Sequence, residues 1–221
     1  MARIARVIAP GYPHHITQRG NRRQQTFFCD EDYLTYLQLM SEWCLKRKVE
    51  CWAYCLMPNH VHLILVPSEK EGIKLAVGEA HRRYTRMINF REGWRGHLWQ
   101  GRFASFIMDE KHLLACTKYI ELNPVQAGLV KNPYDWKWSS ARYHLEGKDD
   151  ILVKTEPLLT IIQKPWESYL NDDVMGDEIE LFRKHERTGR PIGSSSFIDT
   201  LEQLLDRKLK PQKPGPKVVD E

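Results

Sequence analysis

Apolar and polar positions along the chain change period several times, and each change marks an element. From Pro13 to Arg19, His15 and Thr17 alternate with Ile16 and Gln18, which is the period of a strand. Gly20-Asn21 ends it with turn chemistry. Tyr33, Tyr36, Leu37, Met40, Trp43 and Cys44 then recur at helical spacing, so a helix is expected over about 31–47 with Asp30 as its N-cap. Val49 to Leu56 returns to alternation: Val49, Cys51, Ala53 and Cys55 on one face, Trp52, Tyr54 and Leu56 on the other. A turn at Met57-Pro58-Asn59 leads into an apolar run that closes at Pro67, read as a buried strand. Ile73, Val77, Ala80, Tyr84, Met87 and Ile88 predict a second helix over about 72–90. His97 to Met108 reads as a strand with Phe103 and Phe106 as anchors. Asp109 caps a third helix over about 110–123, expected to stop at Asn123-Pro124.

The order is βαββαβ followed by a helix. It predicts an α+β fold: a ferredoxin-like sandwich with an antiparallel sheet, helices on one face and the 60–66 strand at its centre. Beyond Gly128, Ser139-Ser140 caps a helix over about 140–146, and Gly147 to Asp150 is a boundary. Short helices are expected at about 157–163 and 176–186, and Ser196 caps another carrying Phe197, Leu201, Leu204 and Leu205. Three units result: a domain over 1–146, a helical extension over 147–207, and a Pro- and Lys-rich tail over 208–221 expected to be disordered.

The central strand carries candidate chemistry. His60 and His62 share a face with Ile64 and Val66, while Val61, Leu63 and Leu65 form a purely apolar face for a helix layer. Two imidazoles on one side of a rigid strand suit a divalent metal. They equally suit two polar residues sharing hydrogen bonds at a strand mouth. On the third helix Tyr119 and Asn123 are spaced i, i+4 and project from one face. Tyr119 could attack while Asn123 completes a metal shell. His112 is an alternative ligand, and ordinary amphipathic packing is the alternative for Tyr119.

Composition adds a partner. The net charge is only +4. Residues 1–29 nevertheless hold Arg3, Arg6, Arg19, Arg22 and Arg23 and no acid, and residues 81–102 hold six arginines against Glu92 alone. Arginine-rich clusters of this kind suit phosphates better than lysine would. A mean hydropathy of −0.54 and the lack of a long apolar run argue for a soluble protein with no membrane partner. The N-terminus shows no signal peptide. Cys29, Cys44, Cys51, Cys55 and Cys116 lack zinc spacing and read as reduced thiols, which points to the cytoplasm; association with the nucleoid is expected only through a DNA partner.

Four separated blocks now combine: His15-Ile16-Thr17-Gln18-Arg19-Gly20-Asn21-Arg22, Met57-Pro58-Asn59-His60-Val61-His62, Gly101-Arg102-Phe103, and Tyr119-Ile120-Glu121-Leu122-Asn123-Pro124 continuing to Val130. Over about residues 5–146 the chain resembles the REP-associated tyrosine transposases, relatives of the single-tyrosine HUH transposases. The resemblance implies that His60 and His62 are metal ligands and Tyr119 the nucleophile. Insertion-sequence relatives often have Gln where this chain has the shorter Asn123. It also implies a substrate: single-stranded DNA bearing repetitive extragenic palindromes (REPs) that fold as hairpins. The ion would be Mg²⁺ or Mn²⁺, and the product a 5′-phosphotyrosine link with a free 3′-OH. Arg19, Asn21, Arg22, Arg23, Arg82, Arg83 and Arg102 are assigned to DNA binding. Two other readings stand beside it: a hairpin-binding regulator that does not cleave, and a metal hydrolase that activates water. The second lacks an adjacent acidic cluster. Monomer and homodimer are both compatible with the sequence.

Overall fold

The computed structural model describes residues 4–172 and 176–210. Its sheet is fully antiparallel, in the order β2-β3-β1-β4, built from β1 (His14–Arg19), β2 (Val49–Met57), β3 (His60–Pro67) and β4 (Ala104–Ile107). α1 (Asp30–Lys46) and α2 (Gly72–Glu92) bridge the strands and pack together on one face. Their apolar stripes meet Ile16, Tyr54, Leu56, Val61, Leu63 and Leu65, the non-histidine face of β3. α3 (Glu110–Gln126) lies on the opposite face, against Ala53, Cys55, Ile64 and Phe106. The expected strand order holds, with the histidine strand inside the sheet. The expectation of helices on one face describes α1 and α2 only.

The remaining helices are α4 (Ala141–Glu146), α5 (Glu156–Ile161), α6 (Trp166–Asn171), α7 (Gly176–Thr188) and α8 (Ser195–Leu205). Leu158, Ile162, Trp166, Tyr169, Leu170 and Phe182 from this part enter the same core as α3. The segment beyond 147 therefore closes the histidine face of the sheet. No helix among the described residues is long and apolar enough to cross a membrane. All five cysteines are free thiols.

Several local expectations need correction. β2 contains a bulge: Cys51 pairs with Leu65 but Ala53 with Ile64, so Trp52 is an extra residue. Cys51 thus joins Val49, Tyr54 and Leu56 under α1 and α2, while Ala53 and Cys55 turn to the α3 side. Cys29, not Asp30, is the N-cap position of α1; Asp32 reaches back to accept from the Phe28 N–H at 2.8 Å. The strand expected over 97–108 is confined to Ala104–Ile107, because Gly96 and Gly101 at φ of +93° and +60° interrupt the extended run. α3 runs through Pro124 to Gln126. In the last turn the proline removes only its own donor, and the Ala127 N–H still reaches the Asn123 carbonyl at 2.9 Å. Ser194 rather than Ser196 caps α8. α6 had no periodic signal in six residues. Of the expected tail, Leu209 is buried in a third cluster with Val7, Ile107 and Leu201, and residues 211–221 lie outside the described residues.

Gly78 lies inside α2, where glycine costs about 1 kcal/mol relative to alanine, yet a Cβ there would meet nothing within 4 Å. Glu121, fully buried on α3, accepts hydrogen bonds from Ser140 Oγ at 2.6 Å, His144 Nδ1 at 2.7 Å and Trp166 Nε1 at 2.9 Å. Ser140 in turn accepts from the Tyr54 N–H at 3.0 Å, so α3 is tied to β2, α4 and α6 through one carboxyl group. Glu121→Gln places an amide donor among these donors, and we expect a loss of about 2 kcal/mol in unfolding free energy, measured by urea denaturation. An unchanged midpoint would show that the cluster does not anchor the helix.

Candidate catalytic and metal site

The site forms where β1 and β3 pair. Thr17 stands opposite His62 and Arg19 opposite His60, and His15 stands opposite Ile64. Alternation therefore brings His15, Thr17, His60 and His62 to the face covered by α3 and α7. The His15 and His62 rings stack at 5.2 Å with only 4° between their planes, and His15 Nε2 lies 2.9 Å from His62 Nδ1. The His60 and His62 rings meet edge-on at 4.9 Å. Tyr119 packs its ring against His62 at 5.4 Å, against His15 at 6.4 Å and against Phe182 of α7 at 5.7 Å. Strand alternation and one helical face thus bring His60, His62 and Tyr119 together.

Two members were not read from sequence. His15, Glu186 and His62 carry ligand atoms within 4.8 Å of one another. His15 had a usable signal, since it alternates with Thr17 on a strand that pairs with the histidine strand. Glu186 had none. It reaches the site from α7, its Oε1 accepting from Thr17 Oγ1 at 3.0 Å and standing 3.9 Å from His15 Nδ1.

One proton lies between His15 Nε2 and His62 Nδ1, and its side follows the tautomer of the pair. In the tautomer in which His62 donates from Nδ1, its Nε2 is left as a lone pair. That atom is buried with no hydrogen-bond partner among the described residues. His60 donates from Nδ1 to Asn59 Oδ1 at 2.6 Å, which also leaves Nε2. A buried, unpartnered imidazole nitrogen is costly unless something occupies it. Burial first, then the Arg19 charge, lowers the His60 pKa to about 3. Burial and then the neighbouring His60 and His15 hold His62 well below its ordinary value. Both rings are therefore neutral at pH 7, as metal ligation requires. The donor set fits a divalent cation.

Tyr119 is only 4% exposed. Burial, then Glu186, pushes its phenol up to about 12, with Arg19 and Arg183 pulling the other way. Left to itself it is a poor nucleophile, so positive charge must be supplied where it reacts.

Asn123 lies one turn beyond Tyr119 and is half-buried, and no hydrogen bond or ring contact among the described residues joins it to the histidines. His112 sits at the start of α3 with its Nδ1 2.5 Å from the capping Asp109. The arginines divide. Arg19 acts on His60, His62, Tyr119 and Glu186 through its charge. The loop after it is pinned beside the site, with the Gly20 N–H to the Asn59 carbonyl at 2.8 Å and Asn59 Nδ2 to the Arg23 carbonyl at 3.2 Å. Gly20 is required there, because a Cβ would fall 2.2 Å from the Gln24 carbonyl oxygen. Arg22 and Arg23 hold left-handed φ values of 53° and 62°, a strained way to present exposed guanidinium groups. Arg82 and Arg83 stand on α2, across the sheet from Tyr119, and both pair with Glu79. Arg102 lies in the exposed part of the loop before β4.

Comparison with known proteins follows this geometry. A family model described as "Transposase IS200 like" matches residues 11–123. A Haemophilus influenzae protein, provisionally named a REP-associated tyrosine transposase, is 27% identical over 132 residues, covering 54% of this chain and 74% of its own. The solved structure of a REP-associated tyrosine transposase bound to a REP hairpin superposes with a TM-score of 0.58 at 24% identity, over 68% of this chain and 90% of that one. This last likeness concerns the fold.

Proposed function

The chain belongs to the IS200-like transposase family, enzymes that cleave and join DNA, and from that premise we propose that it is a metal-dependent, single-strand-specific nuclease and strand transferase acting on REP-type hairpins. The observation that carries this is the seating of Tyr119 against His62 at 5.4 Å, in the cleft between α3 and the sheet. His60 and His62 would hold Mg²⁺ or Mn²⁺, with Asn123 as a further ligand. Bound there, the ion would supply positive charge to polarise the scissile phosphate.

The chain's own groups do the rest. The Tyr119 oxygen bonds to phosphorus, the bond from phosphorus to the 3′-oxygen breaks, and the phenol proton ends on that oxygen. The products are a 5′-phosphotyrosine and a 3′-hydroxyl, and the reverse sequence rejoins a strand without ATP. Arg19 favours the phenolate and lies at the mouth of the arginine loop. The loop Asn21–Arg23 would hold the unpaired flank of the hairpin through phosphates and base edges. The hairpin as substrate is supported by the relative solved with one.

Access argues for a single strand. Tyr119 is buried between α3, α7 and the sheet. A duplex roughly 20 Å wide cannot bring its backbone so deep without opening, whereas a single strand can thread a basic groove. We expect a labelled hairpin oligonucleotide with an unpaired flank to be cleaved, and the same sequence annealed to its complement to stay intact. Equal cleavage of both across a salt series would return the protein to the duplex nucleases.

A further inference from the structure

The Pro58-Asn59 turn joins β2 to β3 immediately before His60. We propose that Asn59 is a positioning residue for His60: its amide fixes which ring nitrogen carries the proton, and the arginine loop fixes the amide. The proposal rests on the metal reading above and adds a residue that acts through a ligand rather than as one.

Donor and acceptor chemistry decides the orientation. A main-chain carbonyl only accepts hydrogen bonds. The amide atom of Asn59 that faces the Arg23 carbonyl oxygen, at 3.2 Å, is therefore the donor Nδ2. The other atom is then Oδ1, which only accepts, and it lies 2.6 Å from His60 Nδ1. His60 carries its proton on Nδ1 and keeps the Nε2 lone pair for a ligand. Reversing the amide would set oxygen against oxygen at Arg23 and would offer His60 a donor, which sends the proton to Nε2 and closes that nitrogen to an ion. His62 has no such lock, because its partner is the ring of His15, and an imidazole nitrogen can either donate or accept.

The amide is held from both sides. The Gly20 N–H donates to the Asn59 carbonyl at 2.8 Å, and the Thr26 and Phe27 N–H groups donate to the Pro58 carbonyl at 2.8 and 3.2 Å. Both carbonyls of the turn are thus taken by the segment that contains the arginine loop. His60 in turn stands opposite Met57 across the hairpin and opposite Arg19 across the β1–β3 ladder. The bond between Asn59 and His60 therefore joins two backbones that are each fixed by pairing, which is how an outer residue keeps a ligand ring in place.

Backbone demands do not explain the asparagine. Asparagine favours turns because it tolerates left-handed φ and hydrogen-bonds its own main chain. Asn59 is not among the described non-glycine residues with positive φ, which are Arg22, Arg23, Lys48 and Asp206. Its side chain bonds instead to the His60 ring and to the distant Arg23 carbonyl. Without that amide the neutral ring is free to place its proton on Nε2, the form that water favours.

The test reads the tautomer itself, in the full chain freed of metal at pH 7, by imidazole ¹⁵N–¹H correlation spectroscopy, with His60→Ala identifying the signal. Wild type should carry the proton on Nδ1. Asn59→Ala should move most of it to Nε2 and weaken Mn²⁺ binding about 10–100-fold, read from the paramagnetic resonance signal of the free ion. Asn59→Asp keeps an acceptor oxygen beside His60 and should return the proton to Nδ1, a rescue that a merely structural asparagine would not show. The wild-type and Asn59→Asp spectra keep the test sound if the alanine variant fails to fold. A wild-type His60 protonated on Nε2 would overturn the proposal, as would an Asn59→Ala protein with an unchanged tautomer or undiminished Mn²⁺ binding. A tautomer that follows the amide as expected, in a wild type that binds no Mn²⁺, would uphold Asn59 as the residue that orients His60 and remove the metal reading instead.

Discussion

Tyr119→Phe is expected to abolish the covalent protein–DNA adduct, a loss of at least about 10⁴-fold, while the folded protein and its hairpin affinity stay as they are. The substitution removes one oxygen. The ring contacts with His62, His15 and Phe182 are made by carbon atoms that phenylalanine retains. No hydrogen bond of the Tyr119 hydroxyl to a described residue is lost, so the stability change should stay within about 0.5 kcal/mol. The measurement is a denaturing gel of protein incubated with a labelled hairpin oligonucleotide and Mn²⁺, beside anisotropy for binding. An undiminished adduct would dismiss Tyr119 as nucleophile. Loss of adduct together with loss of hairpin binding would point instead to a structural role for the phenol.

His62→Ala should cost nearly as much. His62 belongs both to the strand motif with His60 and to the cluster with His15 and Glu186, so every metal arrangement the site allows uses it. We expect Mn²⁺-supported adduct formation to fall about 10³-fold, the scale of several kcal/mol of lost charge stabilisation, with hairpin affinity changed little. His60→Ala should follow it closely. His15→Ala should be milder, about 10–100-fold, because His15 orients the His62 ring through Nδ1 rather than meeting the ion in this reading. The check is a Mn²⁺ titration of adduct yield for each variant, with circular dichroism to confirm folding, since His15 and His62 are fully buried. A larger loss for His15 than for His60 would move the metal to the His15–His62–Glu186 set. Full activity in EDTA would end the metal assignment altogether.

What the linear sequence determined was whatever depends on period and on neighbours along the chain. The alternation in 60–66 placed two histidines on one strand face, and helical spacing placed Tyr119 on α3. The order of strands and helices sufficed for the sheet, because the units β1-α1-β2 and β3-α2-β4 each leave room for one strand of the other, so that β3 lies between β1 and β2 and β1 lies between β3 and β4. Where local rules met competing contacts, they lost. The bulge at Trp52 changes the face of Cys51 relative to Cys55, since pairing with β3 and packing on two sides outweigh strict alternation. Pro124 stays helical, because a proline in a final turn costs little when the next turn holds. Only the tertiary structure decided the surroundings of the site. Glu186 enters from α7, far along the chain from Thr17, which donates to its carboxyl group. Arg82 and Arg83 were grouped with Arg19 by charge, yet the sheet separates them from Tyr119 and Glu79 engages both. A cation's sign is written in the sequence. The face it occupies and the carboxylate it meets depend on how elements distant in sequence pack, and no local pattern encodes that.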